Sequence, residues 1–153
     1  AARLYWSRTL GRGVGRQPAA GQLIGANACL DYGYAVLRGH LMRAVLAAGL
    51  APALGVFHRG RGNAFALADD LIEPFRPAID EVALPLPATA SPSDREVKQL
   101  LVAAASQRFD VDGHGIPAVA EALAQSFGRY IEGDIDRLQV ASWQGPSRVG
   151  VGD

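Results

Sequence analysis

Three side chains of metal-ligand type lie in one otherwise apolar segment of this 153-residue chain. His58 precedes Asp70 and Glu73, and at about 100° per residue the spacing of the two carboxylates places both on one face of a helix. Carboxylate oxygens combined with an imidazole favour Mg²⁺ or Mn²⁺ in an incompletely filled shell over a closed zinc site. The segment predicts a divalent-cation site, and the alternative is a solvated helix face beside a structural histidine.

The immediate neighbours of the carboxylates favour the metal hypothesis. Asp69 and Asp70 stand between Leu67 on one side and Leu71 and Ile72 on the other. Adjacent carboxylates in apolar surroundings repel each other, and a cation relieves a repulsion that otherwise forces proton uptake. This crowding is a second reason to expect a bound cation.

A second group of possible ligands has a simpler interpretation. Asp110, Asp112 and His114 alternate along the chain and would share one face of a strand. The interleaved glycines favour a polar turn instead. An EF-hand is excluded because no acidic residue follows at the required distance.

Basic residues flank the first group. Arg59 and Arg61 follow His58, and Arg76 follows the carboxylates. Exposed arginines usually maintain solubility, but several of them converging on a metal site would recognise phosphate. We therefore treat these three arginines as candidates for phosphate contacts, with solubility as the alternative.

Composition and charge limit the class of protein. A content of 49% hydrophobic and 20% charged residues is typical of a globular domain with its own core. The net charge is zero, so any DNA contact must come from local patches. Cys29 is the single cysteine, which excludes an internal disulfide and a multi-cysteine zinc site. The apolar run 41–57 is interrupted too often to cross a bilayer, and a cytoplasmic protein is expected.

Helical periodicity predicts the elements that carry these residues. A long central helix is expected over 22–48, with Gly49 as its stop. A helix from about position 64 carries the carboxylates, and it either ends near Glu73 or continues bent, because prolines follow.

The second half of the chain is also predicted to be helical. Ser93 to Glu96 resembles a capping box before one helix, and another helix is expected over 117–140. Residues 109–116 form at most a short extended arm and turn. The fold class is therefore mainly α, with a single helical domain over 1–144 and a flexible tail over 145–153.

Three segments follow one another with a characteristic spacing, and they cover positions 27–80. They are Asn27-Ala28-Cys29-Leu30-Asp31-Tyr32-Gly33-Tyr34, Gly49-Leu50-Ala51-Pro52 with Gly55 and His58, and Asp70-Leu71-Ile72-Glu73-Pro74-Phe75-Arg76-Pro77 closed by Asp80. Together they resemble the CRISPR-associated integrase of spacer acquisition, often called CRISPR-associated protein one. The sequence EPFRP at positions 73–77 is most similar to the branch of the family associated with type II systems.

The resemblance implies roles for individual residues. His58 and Glu73 would be metal ligands and catalytic residues, with Asp70 ligating or supporting the metal. The family's remaining ligand is a Glu that would lie a few residues before Ala1, since Ala1-Ala2-Arg3-Leu4-Tyr5-Trp6 matches the stretch that follows it. By the same resemblance, the N-terminal β-rich domain of the family is expected to lie outside this sequence. The resemblance therefore predicts a C-terminal catalytic fragment that is inactive by itself.

The resemblance also implies an activity and partners. Members are Mg²⁺- or Mn²⁺-dependent DNA endonucleases and integrases that insert new spacers into a CRISPR array during antiviral defence. The implied partners are double-stranded DNA (protospacer and CRISPR repeat), CRISPR-associated protein two and, in the full-length protein, a second copy of the chain. The alternatives are a helical interaction or scaffold module without catalysis and an unrelated metal-dependent phosphohydrolase. If the His58 and Glu73 side chains face each other across a cleft, the enzyme hypothesis is favoured. If they point to opposite surfaces, the scaffold hypothesis is favoured.

Overall fold

The structure is a computed structural model that describes residues 21–58, 60, 62–143 and 145. Five α-helices and one 3₁₀ helix lie within these residues, and no strand is found among them apart from an isolated bridge between Arg108 and Gly115. The α-helices are α1 (Gly25–Ala47), α2 (Ala66–Leu71), α3 (Arg76–Ala83), α4 (Arg95–Ala104) and α5 (Ile116–Glu132), and the 3₁₀ helix is Glu73–Phe75. The mainly α class predicted from the sequence is confirmed.

Helix α1 is the central element of the fold. It packs against each of the other four α-helices, and its apolar side chains are therefore buried on more than one side. The fully buried residues of α1 include Leu30, Leu37, Leu41 and Val45. Gly49 follows the helix with a φ of 71°, a left-handed conformation that favours glycine. The predicted long central helix and its stop are both confirmed.

The prolines divide the next helical stretch into separate elements. Helix α2 ends at Leu71, the 3₁₀ helix follows, and α3 begins at Arg76. Pro74 and Pro77 each lie in the first turn of an element, where a missing backbone N–H costs nothing. Glu73 therefore stands on the 3₁₀ helix and not on the helix that carries Asp70.

One predicted cap and one predicted boundary were wrong. Helix α4 begins where the capping box predicted, but its N-cap is Asp94 and no side-chain capping bond forms. Helix α5 ends at Glu132, well before position 140, because Gly133 adopts a left-handed conformation with a φ of 81°. The stretch Ala1–Trp6 and the predicted tail, apart from Gly145, lie outside the described residues. None of the described helices is both long and apolar enough to span a membrane.

Candidate functional site

His58 lies on the loop between α1 and α2, and this loop folds back onto the start of α2. The backbone N–H of Leu67 donates to the Pro52 carbonyl oxygen at 2.9 Å. A Cβ at Gly55 would overlap the His58 carbonyl oxygen and would lie 2.8 Å from the Ala66 Cβ. The loop conformation that places His58 therefore requires a glycine at position 55.

Asp70 holds this loop through both of its carboxylate oxygens. Oδ2 accepts the backbone N–H groups of Val56 at 2.5 Å and Phe57 at 3.0 Å, and Oδ1 accepts that of His58 at 3.1 Å. Burial opposes ionisation of this side chain, which is 4% exposed, but the hydrogen bonds outweigh it and the pKa of Asp70 lies below its usual value. Asp70 is thus a charged acceptor with its oxygens already occupied.

The imidazole of His58 is oriented by the same carboxylate. Nδ1 lies 2.6 Å from Oδ1 of Asp70. Because the carboxylate is ionised, Nδ1–H donates to it, and in the neutral form of the ring the lone pair is then on Nε2. A histidine whose second nitrogen is held by a carboxylate is the usual arrangement of a metal-binding imidazole. The side chain is 52% exposed, so Nε2 is accessible from solvent.

Glu73 supplies a second accessible atom that could ligate a metal ion, a carboxylate oxygen. Its side chain is 59% exposed, and Oε1 lies 3.0 Å from Nη2 of Arg76. The pair is three positions apart on the chain and is largely solvated, so we expect it to contribute little to stability. The Glu73 carboxylate therefore remains free to exchange this partner for a stronger cation.

Arg76 borders the site, but its charge is already engaged. In addition to the ion pair with Glu73, its guanidinium carbon lies 4.9 Å from the ring centroid of Tyr34, whose hydroxyl donates to the buried Asp80. Arg59 and Arg61, the other two candidates for phosphate contacts, lie outside the described residues.

His58, Asp70 and Glu73 line one cavity of about 570 Å³. Its remaining walls are mostly apolar and come from the His58 loop, α2, α5 and the segment that follows α5, including Phe57, Leu71, Leu123, Phe127, Tyr130 and Val140. Apolar walls lower the local dielectric and strengthen interactions between charges. The structure thus brings the three predicted residues together, with the His58 and Glu73 side chains on one cavity.

The predicted crowding of Asp69 and Asp70 was wrong. Asp69 binds Arg38 of α1 through two bonds, Nε to Oδ1 at 2.5 Å and Nη2 to Oδ2 at 3.1 Å, and Asn63 Nδ2 donates to Oδ2 at 2.7 Å. Burial opposes ionisation, but these donors keep the pKa of Asp69 below its usual value. Each carboxylate has its own donors, so neither needs a cation to stay charged.

Sequence reasoning missed Arg38 and Asn63. Arg38 lies 31 positions before its partner Asp69. No local pattern links an arginine in the long helix to that carboxylate. Asn63 is six positions before Asp69 but lies outside the helix that carries Asp69, so helical spacing does not predict their contact.

Asp110, Asp112 and His114 form the polar turn that the glycines favoured. The ligand atoms of the three side chains lie within 4.8 Å of one another. The backbone N–H and Nδ1 of His114 each lie 2.8 Å from an oxygen of Asp110. Desolvation opposes ionisation of Asp110, but the hydrogen bonds from His114 together outweigh it and lower the pKa of Asp110, and the same contact raises the pKa of His114. The hydrogen bonds within the group account for its geometry.

Comparisons with known proteins place this chain in a family. Residues 20–98, just over half of the chain, match the family model described as CRISPR associated protein Cas1. The CRISPR-associated endonuclease Cas1 of Neisseria meningitidis serogroup C is 56% identical over 54 residues, which cover 35% of this chain and 18% of the relative. The CRISPR-associated endonuclease Cas1 1 of Pyrobaculum aerophilum is 36% identical over 110 residues, 67% of this chain and 35% of the relative.

A solved structure shares the fold. A casposase bound to integration product matches with a TM-score of 0.72 at 19% sequence identity, over 90% of this chain and 47% of that chain. The chain therefore spans less than half the length of these relatives. The family match contains all three sequence segments and the residues His58, Asp70 and Glu73. This chain belongs to the Cas1 family of CRISPR-associated proteins.

Proposed function

We propose that this chain is the helical catalytic part of a metal-dependent DNA endonuclease and integrase that inserts new spacers into a CRISPR array. The observation that carries the proposal is the shared cavity of His58 and Glu73, in which Asp70 directs the imidazole so that Nε2 remains available. Exposed carboxylates on a scaffold surface would not need a histidine oriented in this way. Membership of a family whose curated relatives are named endonucleases supports the same conclusion.

The donor set fits Mg²⁺ or Mn²⁺. His58 Nε2 and a Glu73 oxygen would be the ligands from this part of the chain, and the mixed nitrogen and oxygen set suits Mn²⁺ well. Asp70 is better assigned as the residue that orients His58, because backbone N–H groups and the imidazole occupy its oxygens. When bound, such an ion would stabilise charge on the phosphodiester oxygens and lower the pKa of the attacking hydroxyl.

The reaction is an exchange of phosphodiester bonds. The 3′-hydroxyl oxygen of one DNA end bonds to a phosphorus of the target strand, and the bond from that phosphorus to the target 3′-oxygen breaks. The proton lost by the attacking hydroxyl is balanced by one gained at the released 3′-hydroxyl, so no external energy source is needed. The apolar walls of the cavity limit the water that would compete with the attacking hydroxyl.

The partners follow from the family resemblance. We propose double-stranded DNA as substrate, CRISPR-associated protein two as the protein partner, and a second copy of the chain in the full-length assembly. The fold neighbour, whose title describes a bound integration product, supports a strand-transfer activity on this helical scaffold. Arg59, Arg61 and Arg76 remain the proposed phosphate contacts, and Arg76 would have to exchange Glu73 for phosphate.

The decisive experiment is a strand-transfer assay with the full-length protein. A labelled DNA with a free 3′-hydroxyl is incubated with a plasmid that carries a CRISPR repeat, in Mn²⁺ or Mg²⁺. Glu73→Gln and His58→Ala should abolish joined product, and Asp70→Asn should reduce it by roughly 10- to 100-fold, as expected for loss of the carboxylate that orients a metal ligand.

Matched controls exist for each type of side chain. Glu96→Gln removes an exposed carboxylate from α4, which does not line the cavity, and His114→Gln removes an imidazole from the polar turn. Both controls should retain activity. Full activity in Glu73→Gln would refute the site, and hydrolysis of small phosphate esters without DNA joining would favour a phosphohydrolase.

A further inference from the structure

A closed set of hydrogen bonds connects the central helix to the far end of the His58 loop. Arg38 of α1 holds both oxygens of Asp69 on α2, and its Nη2 also donates to Oδ1 of Asn63 at 3.2 Å. Asn63 Nδ2 donates in turn to Asp69 at 2.7 Å. We call Arg38, Asn63 and Asp69 the clamp.

The clamp also contacts the backbone at the end of the loop. Oδ1 of Asn63 accepts the backbone N–H of Phe65 at 3.0 Å, so the end of the loop is closed just before α2. The guanidinium carbon of Arg38 also lies 5.6 Å from the ring centroid of Phe65, within the range of a cation–π contact. The segment that enters α2 is therefore tied to a residue of α1.

Two adjacent carboxylates thus hold opposite ends of one loop. Asp70 binds the segment 56–58, and Asp69 binds Asn63 together with Arg38. Between these anchors the Asn63 N–H donates to the Gly60 carbonyl oxygen at 3.1 Å. Loss of either anchor would leave the remaining one to order the whole loop.

We infer that Arg38 is a positioning residue for His58 and that it acts through Asn63 and Asp69. A two-bond arginine–carboxylate pair restrains orientation more than a single contact does. The two side chains are 38% and 22% exposed, so solvent screens the pair and its contribution to global stability is small. The effect of the clamp should therefore appear in loop order and ligand affinity more than in the melting temperature.

The chain offers a matched control on the same helix. Arg43 of α1 forms an ion pair with Glu121 of α5 at 3.0 Å, and neither residue is among those that line the His58 cavity. Arg38→Met and Arg43→Met each remove one arginine charge and one interhelical ion pair. A general effect of charge loss or weakened packing would appear in both variants.

The test measures backbone amide hydrogen exchange at 56–58 and Mn²⁺ affinity by calorimetry, beside the melting temperature. Arg38→Met should accelerate exchange at these amides about tenfold and weaken Mn²⁺ binding several-fold, whereas Arg43→Met should change neither. Arg38→Lys should restore part of the protection, because an ammonium keeps the charge but not the two-bond geometry. Asn63→Ala should act in the same direction, and combining it with Arg38→Met should add little.

The possible outcomes test the clamp separately from the proposed function, on which only the Mn²⁺ measurement rests. Equal exchange rates at 56–58 in Arg38→Met and Arg43→Met would overturn the clamp. Faster exchange in Arg38→Met, with no Mn²⁺ binding in any form of the protein, would support the clamp and contradict the metal site. If Arg38→Met does not fold, Asn63→Ala decides the question by the same exchange measurement.

Discussion

Substitution of Gly55 by alanine tests the geometry of the site with a single methyl group. The added Cβ would overlap the His58 carbonyl oxygen and would lie 2.8 Å from the Ala66 Cβ and 3.0 Å from Asp70 Oδ2. Two of these neighbours are fixed, one on the backbone and one on α2. The loop must therefore move away from Asp70.

The size of the effect follows from what the movement breaks. Forcing an extra methyl group into a packed site costs about 1–3 kcal/mol of unfolding free energy. If the loop lifts instead, the N–H groups of Val56 and Phe57 exchange a carboxylate for water, which limits the loss to the same range. When the loop lifts, His58 also loses its orienting carboxylate, and such losses usually weaken metal affinity by roughly 10- to 100-fold.

Urea unfolding and Mn²⁺ calorimetry measure the two effects separately. The control is Gly39→Ala, since a Cβ at this position of α1 meets nothing within 4 Å. Alanine there should raise stability by about 0.5–1 kcal/mol through its helix propensity and leave Mn²⁺ binding unchanged. If Gly55→Ala binds Mn²⁺ as tightly as the unmodified protein, the assignment of the loop as the support of His58 is refuted.

Three further predictions concern titration and reactivity. Asp69 and Asp70 have lowered pKa values in the folded state, so their contribution to stability is present above the unfolded value of about 4 and is lost as pH falls through the folded values; urea unfolding should show this loss, with a shallower slope in Asp70→Asn. Burial, and then the charge of Asp94, raises the pKa of the Cys29 thiol, so a maleimide should label it only as fast as the chain unfolds, and rapid labelling of native protein would contradict its burial. The hydrogen bond to Asp110 raises the pKa of His114, so NMR titration should place that pKa above the unperturbed histidine value of about 6.5, and Asp110→Asn should lower it. Because the folded pKa is the raised one, the pair stabilises the fold below the unfolded pKa, and this contribution is lost as pH rises through the folded pKa.

Local pattern predicted the elements whose ends are set by local chemistry. Helix α1 was predicted from apolar residues that recur at intervals of three and four positions. Gly49 stops it because the backbone adopts a left-handed conformation there, which favours glycine. The end of α5 was predicted too late, although Gly133 supplies the same kind of stop. Apolar periodicity beyond that glycine belongs to a segment that packs on the core without being helical, as Leu138 does.

The sequence likewise predicted some features of the candidate site and not others. The types and spacing of His58, Asp70 and Glu73 were enough to nominate them, because metal-ligand chemistry depends on side-chain identity. Which carboxylate orients His58 and which one stays accessible was not predictable, since this depends on which carboxylate oxygens already accept hydrogen bonds. Asp70 is occupied by the loop that it supports, and Glu73 stays exposed on a 3₁₀ helix.

The sequence by itself determined the helical class, the family and the residues capable of binding a cation, because periodicity, special backbone positions and ligand chemistry are written in neighbouring residues. Only the tertiary structure decided how these residues are held. Arg38 reaches Asp69 across 31 positions of chain, and the turn at Gly55 brings the His58 backbone onto Asp70. Contacts of this kind form when helices pack and carry no local signal, so the support of the site became visible only in the folded molecule.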